Sequence, residues 1–487
     1  MAMQLQYKWT VLTVTTVGVL MSGIDSRIVV IGIPQVAAAL GADAEQAIWF
    51  TQAYVFGSTV ALLAVGRVSD MVGRVKIYTL GFAIFTAGSL LTSLSPSPDY
   101  VIVFRILQGL GSAALFANSA AIVTDSAPTN QLGMFLGINQ VAFRVGAMAG
   151  LTLSGLILSV LDWRALFYIN VPIGIFGTLW ARRRLKEVSK PERGTPMDWT
   201  GFFTFSASIV LFLLALTYAA YGTFPLSWLV VLVGVSAVLL VIFVREERKS
   251  PYPLLDLKLL RIREFTGGVV AQMLNSLAWG AVILLLSLYL QLVEGYSPLQ
   301  AGLAIIPFDL AFLAVGPLSG RLSDQYGHMP FTTSGLAVMS ASLLLMSDTS
   351  VNESYLTLAT YLVFFGIGVG LFSSPNMSSI MGSVPPRERG IASGVRATFF
   401  NVGYVLSFNV AILVMTLAVP YSVITQVISA ANPANIAVDK VLFSKGLDYA
   451  FQVSAVINAI AIAPSVMRGK RTHGLTKDDI PVSLEPE

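Results

Sequence analysis

Six charged residues lie inside long apolar stretches of this chain. They are Asp25, Arg27, Arg105, Arg144, Asp309 and Arg396. A charge that faces lipid costs about 2.5 kcal/mol or more, so such residues normally pair with one another or face a cavity. In a cavity a carboxylate can take up a proton and an arginine can bind an anion. The set therefore predicts a buried charge network with a role in binding or proton transfer.

The two aspartates are the candidates for proton coupling, because neither histidine lies inside an apolar stretch. Asp25 has two interpretations. It is a protonatable carboxylate, or it forms a permanent ion pair with Arg27 or Arg105. We predict that Asp25 and Asp309 are the proton-coupling residues.

Depth along the predicted helices suggests a second pairing. At 1.5 Å per residue, Arg144 and Asp309 both fall near the middle of the membrane, whereas Arg396 falls in its inner half. We predict that Arg144 and Asp309 approach each other, since pairing offsets much of the cost of burying two charges. The alternative is that each pairs elsewhere or points into water within its own half.

Composition defines the class of protein. Of 487 residues, 55% are hydrophobic and 11% are charged, against about 25% charged in a soluble domain. The chain shows no nucleotide-binding loop of the form GxxxxGK[ST], no metal-ligand cluster and no nucleophile–base set,. We therefore expect a membrane protein without a cofactor that is not an enzyme and binds no nucleic acid.

Fourteen segments are apolar enough, and close enough to roughly 20 residues, to cross a bilayer. They are 9–31, 47–66, 77–95, 100–122, 134–158, 165–181, 200–220, 226–244, 265–291, 299–320, 331–348, 355–381, 391–418 and 448–467. Most of the 30 basic residues fall in loops on one side if both ends are cytoplasmic, as the positive-inside rule requires. The sequence predicts an all-α membrane protein with both ends in the cytoplasm.

An internal repeat divides the chain. Gly66-Arg67-Val68-Ser69-Asp70-Met71-Val72-Gly73 recurs as Gly320-Arg321-Leu322-Ser323-Asp324-Gln325-Tyr326-Gly327. Repeats of this size in membrane proteins form two halves that move about a central site. We predict a six-helix bundle over 1–190, two extra helices over 191–245, a cytoplasmic linker over 246–264, a second six-helix bundle over 265–470 and a tail over 471–487.

The repeated loop also carries a family resemblance. Gly66-x3-Asp70-x2-Gly73-Arg74-x-Lys76 resembles the signature loop of the major facilitator superfamily, and Arg105-Ile106-Leu107-Gln108-Gly109 resembles its helix 4 motif. The chain is most similar to the 14-span drug:proton antiporters, which the linker Ser250-Pro251-Tyr252-Pro253-Leu254-Leu255-Asp256 also matches. It departs from their helix 5 motif, with Gly150-Leu151-Thr152-Leu153-Ser154-Gly155 in place of Gly-Pro-x-x-Gly-Gly.

The resemblance implies a fold and an activity. The fold is the major facilitator fold with two extra central helices. The activity is export of amphipathic, drug-like molecules by proton antiport through alternating access, in which the halves open to one side at a time. The loop residues Gly66, Asp70, Gly73, Arg74 and Asp324 would act as its gate.

The charges leave an alternative open, because four arginines against two aspartates make the membrane region positive. It is transport of anionic or zwitterionic metabolites or lipids. A membrane enzyme or a receptor has no support. Asn275 and Trp279 are further candidates for the substrate cavity. We expect a multi-pass monomer of the cell membrane whose partners are a small-molecule substrate, protons and lipid.

Overall fold

The computed structural model describes residues 2–126, 132–188, 197–221, 225–250, 253–255, 257–348, 354–384, 389–420, 423–424 and 440–468. The regular structure of these residues is helical, and no strand occurs among them. The predicted tail 471–487 and the predicted boundary at 190 fall outside the described residues. The other predicted domain boundaries stay predictions.

The N-terminal helices are α1 Ala2–Leu40, α2 Ala44–Val72, α3 Arg74–Ser93, α4 Pro98–Ser126, α5 Leu132–Val160, α6 Ala165–Tyr168 and α7 Asn170–Arg184. They pack mainly as α1 on α5 and as α3 on α4 and α7, with α2 on α4. Two helices follow, α8 Trp199–Tyr221 and α9 Leu226–Glu247, which pack on each other. We call α1–α7 the N-terminal half.

The remaining helices form the C-terminal half. They are α10 Arg263–Trp279, α11 Val282–Leu288, α12 Pro298–Ala304, α13 Ile306–Tyr326, α14 His328–Met346, α15 Tyr355–Gly382, α16 Arg389–Met415, α17 Lys440–Ile460 and α18 Ile462–Val466. A short 3₁₀ turn at Leu259–Arg261 precedes α10, and a π-helical turn at Tyr289–Val293 extends α11.

Twelve helical segments among the described residues are long and apolar enough to cross a membrane. The other two predicted spans, 47–66 and 165–181, coincide with α2 and with α6–α7. α7, with 15 residues, is shorter than a clear span, whereas α2 has 29 residues, of which not all belong to the described part of the chain. The fourteen-span count and the orientation of the ends stay predictions.

The repeated loop has the same backbone form in both halves. Gly73 joins α2 to α3 with φ of 122°, and Gly327 joins α13 to α14 with φ of 89°. Residues with a Cβ are strained at such positive φ values, whereas glycine is not. The recurrence of Gly73 as Gly327 in the sequence therefore reflects a shared turn geometry.

Glycines let α1 and α5 approach each other closely. A Cβ added at Gly146 or Gly150 of α5 would collide with the backbone oxygen of Leu20 or Ile24 on α1. The collision is with main chain rather than with a flexible side chain, so neighbouring atoms cannot yield cheaply. This backbone contact packs α5 tightly against α1 in the N-terminal half.

The two halves are in close contact at one end of the molecule. We call the end where α1 meets α2 the Gly41 end, and the end where α2 meets α3 the Gly73 end. At the Gly41 end, Gly155 of α5 lies directly against the backbone of Leu299 in α12. A buried apolar cluster there combines residues of α1 with residues of α11 and α12. The contact closes the Gly41 end in this conformation.

Replacing Gly146 with leucine should destabilise the protein by about 3 kcal/mol or more, because the new side chain must displace the α1 backbone. Gly137 on the same helix is the control, since nothing lies within 4 Å of a Cβ added there. We expect Gly137→Leu to change stability by less than about 0.5 kcal/mol. Thermal unfolding of the detergent-solubilised variants measures both, and equal effects would contradict the close α1–α5 contact.

Candidate functional site

Asp25 is the acceptor of a buried hydrogen-bond network inside the N-terminal half. Arg105 Nη1 donates to Asp25 Oδ2 over 2.6 Å. Gln108 Nε2 and Asn170 Nδ2 donate to the other oxygen, Oδ1, over 2.8 and 2.9 Å. The structure therefore contains the Arg105 pair that the sequence offered as one interpretation of Asp25, and it adds two amides.

Arg105 is held on several sides. Its Nε donates to the backbone oxygen of Phe50 over 2.9 Å, and its Nη1 also donates to Gln108 over 2.7 Å. The guanidinium lies 4.6 Å from the ring centre of Tyr54. Such contacts from α2 and α4 fix the arginine, so the charge of Asp25 is compensated within one half of the protein.

Arg27 and Asp309 form an ion pair between the two halves. Arg27 Nη1, on α1, donates to both carboxylate oxygens of Asp309, on α13, over 2.9 and 3.0 Å. Their side chains are 8% and 1% exposed. The Arg27 guanidinium also lies 5.5 Å from the ring centre of Phe308. Any motion that separates α1 from α13 must break this pair.

The predicted pair of Arg144 with Asp309 is wrong for this conformation. Arg27 takes both oxygens of Asp309, and Arg144 instead lies 4.0 Å from the ring centre of Phe312, one turn further along α13. Arg144 is still close enough to Arg27 and Asp309 for their charges to interact. Counting residues along each helix predicted how deep these residues lie in the membrane, but not the direction in which each side chain points.

Aromatic side chains of the C-terminal half surround this charge cluster. Trp279 is 5% exposed, and its ring lies 6.2 Å from that of Tyr404. Phe400 and Tyr404 stack with their centres 6.1 Å apart. Tyr404 lies within electrostatic range of Arg27. Trp279 thus lies in an aromatic group beside the interface. From the sequence, Trp279 was one of the candidates for the substrate cavity.

Asn275 and Arg396 occupy different environments. Asn275 donates to Asn458 over 2.8 Å, and Asn458 donates to Ser340 over 3.0 Å. Asn275 thus joins three helices inside the C-terminal half. Arg396 lies near the Gly73 end of α16, next to Ala397, which packs against α2. Its buried Nε has no hydrogen-bond partner among the described residues.

The loop at the Gly73 end contains an ion pair that the sequence did not predict. Arg74 Nη1 donates to both oxygens of Asp125, on α4, over 2.7 and 2.8 Å. The carboxylate of Glu187 accepts from the backbone N–H groups of Arg74 and Val75 at the start of α3. Asp125 follows a long apolar run, which was the signal available for it, whereas Glu187 follows a run of basic residues. The side chains of Asp70 and Asp324 lie outside the described residues, while Gly66 is inside α2.

Comparison with known proteins identifies the family. The model of the Major Facilitator Superfamily matches residues 15–408. The chain belongs to that superfamily: it is a transporter and not an enzyme, and a multi-pass protein of the cell membrane.

Proteins similar to this chain are named for different transported compounds. The chain is 32% identical over 403 residues to the riboflavin transporter RibZ of Clostridioides difficile, covering 82% of this chain and 87% of that protein. It is 30% identical over 406 residues to the multidrug resistance protein Stp of Mycobacterium tuberculosis, covering 82% and 74%. The human organic anion transporter MFSD10 has the same fold, with a TM-score of 0.65 at 14% identity over 94% of this chain and 99% of that one.

Removing the carboxylate of Asp25 should destabilise the N-terminal half, because Arg105 would remain buried without a counter-charge. We expect Asp25→Ala to cost about 3–5 kcal/mol. The exposed pair of Asp162 with Arg164 is the matched control, and Asp162→Ala should cost less than about 1 kcal/mol,. Thermal unfolding in detergent compares the two, and a small effect of Asp25→Ala would mean that Arg105 finds another partner.

Proposed function

We propose that this transporter exports amphipathic small molecules in exchange for protons, by alternating access, and that Asp309 is its proton site. The observation that carries the proposal is the buried Arg27–Asp309 ion pair between the halves. Asp25 is a second candidate for proton coupling, within the N-terminal half. Substrate, protons and surrounding lipid are the partners of a protein that works as a monomer.

The chemistry of the ion pair links protons to motion. Two buried charges can be separated only at a large cost, since each would be left without a partner in a poorly polarisable environment. Protonation removes the charge of Asp309 and with it most of the attraction to Arg27. The halves can then separate at the Gly41 end more easily when Asp309 carries a proton. A proton taken up while the Gly41 end is open would be released when Asp309 pairs with Arg27 again, which couples proton flow to the cycle.

The surroundings of the pair suit an amphipathic substrate. Arg27 and Arg144 each lie over a phenylalanine ring, and Tyr404, which stacks on Phe400, lies within electrostatic range of Arg27. Aromatic faces with a few polar groups are typical of sites that bind small organic molecules. The relative Stp is named for multidrug resistance, and RibZ is named for riboflavin, a compound with a flat ring system.

The proposal also covers the subgroup of the chain, its orientation in the membrane and its gate. We place the chain in the 14-span drug:proton antiporter group with both ends cytoplasmic, so that the Gly73 end faces the cytoplasm. Gly66, Asp70, Gly73 and Arg74 then form the gate at that face, with Asp324 in the second copy. The Arg74–Asp125 pair supports a latch there, because it ties α3 to α4 beside the gate loop.

Replacing Asp309 with asparagine should remove the dependence of transport on the proton gradient, because the amide cannot take up a proton. We expect efflux of a fluorescent dye from proteoliposomes to respond to an imposed proton gradient in the wild type and not in Asp309→Asn. Downhill exchange of the dye should continue in the variant. The matched control is Asp162→Asn, whose ion pair is exposed.

A wild-type response to the gradient in Asp309→Asn would reject Asp309 as the proton site. If Asp25→Asn then lost the response, the proton site would lie in the N-terminal half. If dye efflux by the wild type also does not respond to the proton gradient, proton coupling is rejected altogether.

A second candidate function is transport of anionic or zwitterionic compounds. Arg144 and Arg396 have no carboxylate within ion-pair distance among the described residues, so the interface has an excess of positive charge. An anion bound at Arg144 would lie near Asp309 and favour its protonated form. Proton and anion would then bind together, whereas a cation would compete with the proton.

Arg144→Gln separates the two candidates. If the substrate is anionic, the variant should lose transport of carboxyfluorescein by roughly tenfold, the effect of losing about 1.4 kcal/mol of binding. Transport of the cation ethidium should then be unchanged or improved. If ethidium is exported and carboxyfluorescein is not, in the wild type, the anionic alternative is wrong. Reconstituted wild-type protein and Arg396→Gln serve as the two references.

A further inference from the structure

Helices α8 and α9 form one unit within the membrane. The hydroxyl of Ser208 donates to the backbone oxygen of Ser236 over 2.9 Å, and the hydroxyl of Ser236 donates back to the oxygen of Ser208 over 2.8 Å. The rings of Phe205 and Phe243 lie 5.0 Å apart. Reciprocal hydrogen bonds of this kind hold helices together in lipid, where water cannot replace either partner. We call this unit the α8–α9 pair.

The α8–α9 pair is attached to the C-terminal half at the Gly73 end. The carboxylate of Glu247, at the end of α9, accepts from the backbone N–H groups of Leu254 and Leu255 over 3.3 and 3.1 Å. Leu255 and Leu259 are buried in a cluster with Phe205, Phe243 and residues of α10, α15 and α16. The segment after α9 therefore anchors the pair to that half.

A buried hydrogen bond makes a second attachment further along α8. Asn409 Nδ2, on α16, donates to Thr217 Oγ1 over 3.0 Å. Thr217 is 0% exposed and Asn409 is 3% exposed, so this bond lies inside the protein. Two attachments near opposite ends of α8 keep it from turning relative to α16.

The contact of α8 with the N-terminal half differs in kind. Leu213 of α8 is fully buried in an apolar cluster with Trp49, Ala53 and Phe56 of α2 and with Val405 of α16. Near the Gly41 end, Tyr218 lies within electrostatic range of Glu45 at the start of α2. α8 thus lies over the line along which α2 and α16 meet, which we call the α2–α16 seam.

The two halves also touch directly along this seam. Gln52 Nε2, on α2, donates to Asn409 Oδ1 over 3.1 Å. Asn409 is therefore bonded to both α2 and α8. When the Gly41 end opens, the Gln52 bond must break, whereas the Thr217 bond can remain. On its outer side, α9 exposes a continuous apolar surface that includes Val230, Val231, Val235 and Val238, as expected for a face in lipid,.

We propose that the α8–α9 pair is a lipid shield that moves with the C-terminal half and slides over α2 as the halves rock. The inference rests on the alternating-access motion of the proposed function and adds a role for the two extra helices. They keep lipid acyl chains out of the α2–α16 seam when it opens at the Gly41 end. A substrate released there then passes to water rather than into the bilayer.

The physical reason lies in the contrast between the two faces of α8. Apolar contacts such as those of Leu213 can shift along α2 without leaving a polar group unsatisfied. The bond of Thr217 would leave an unpaired polar group in the membrane if it broke, which costs several kcal/mol. The buried carboxylate of Glu247 would lose its two backbone donors. The weaker interface is therefore the one that slides.

Cross-linking tests which half carries the pair, and the chain is well suited to it because it contains no cysteine. Three double variants are joined by a short bifunctional thiol reagent in proteoliposomes. They are Thr217→Cys with Asn409→Cys, Leu213→Cys with Ala53→Cys, and Gln52→Cys with Asn409→Cys. Ser208→Cys with Ser236→Cys, which joins the pair to itself, is the matched control. Transport of ethidium and carboxyfluorescein is measured before and after linking.

We expect the Thr217–Asn409 link and the control link to leave transport unchanged. The Leu213–Ala53 and Gln52–Asn409 links should each reduce it roughly tenfold or more, because a joined pair of moving elements cannot complete the cycle. Loss of transport on linking Thr217 to Asn409 would overturn the proposal. So would normal transport with Leu213 linked to Ala53, since the pair would then move with the N-terminal half.

Spin-label distances test the same point without any substrate. Val238 on α9, Leu413 on α16 and Leu80 on α3 are exposed positions for labels. Between the wild type and Asp309→Asn, the Val238–Leu413 distance should stay constant, and the Val238–Leu80 and Leu80–Leu413 distances should change together. If the Val238–Leu80 distance stays constant while the Val238–Leu413 distance changes, the lipid-shield proposal is overturned. If none of the three distances changes, Asp309 does not control the motion, which counts against the proposed function, and the cross-links decide the shield.

Discussion

The ion pair of Arg27 with Asp309 is the constraint on which the rest of the arrangement depends. It joins two helices from different halves, and both side chains are almost completely buried. A charge inside a membrane protein must be paired, so neither residue can leave the other unless its charge is removed or replaced. In the proposed function, it is protonation of Asp309 that removes this charge and releases the contact between the halves.

The internal contacts of each half are of another kind. In the N-terminal half, Asp25 is saturated by Arg105, Gln108 and Asn170. In the C-terminal half, the corresponding first helix carries Asn275, which bonds to Asn458. One contact is ionic and the other neutral, yet both join several helices of one half. Each half is therefore held together by buried polar contacts of its own, as the rigid-body motion of the proposed function requires.

Particular residues mark what could be predicted from the sequence. The recurrence of Gly73 as Gly327 predicted two equivalent turns, because a positive φ demands glycine in both copies. The apolar pattern predicted the helices, and the motifs around Asp70 and Arg105 predicted the superfamily. In this conformation the partner of Asp309 is Arg27 and not the predicted Arg144. Arg27 and Arg144 both lie on helices that reach the interface, and their levels in the membrane could not distinguish between them.

The sequence by itself determined which segments are helical, that the chain has two related halves, and which charges must be hidden from lipid. These properties follow from local rules of hydropathy, length and backbone conformation. Only the tertiary structure decided which charges meet, that Arg144 lies over Phe312, and that α8 covers the line between α2 and α16. Such facts depend on how each helix is rotated about its axis. Rotation is set by the packing of distant segments, such as the glycine contact of α5 with α1, and no local pattern encodes it.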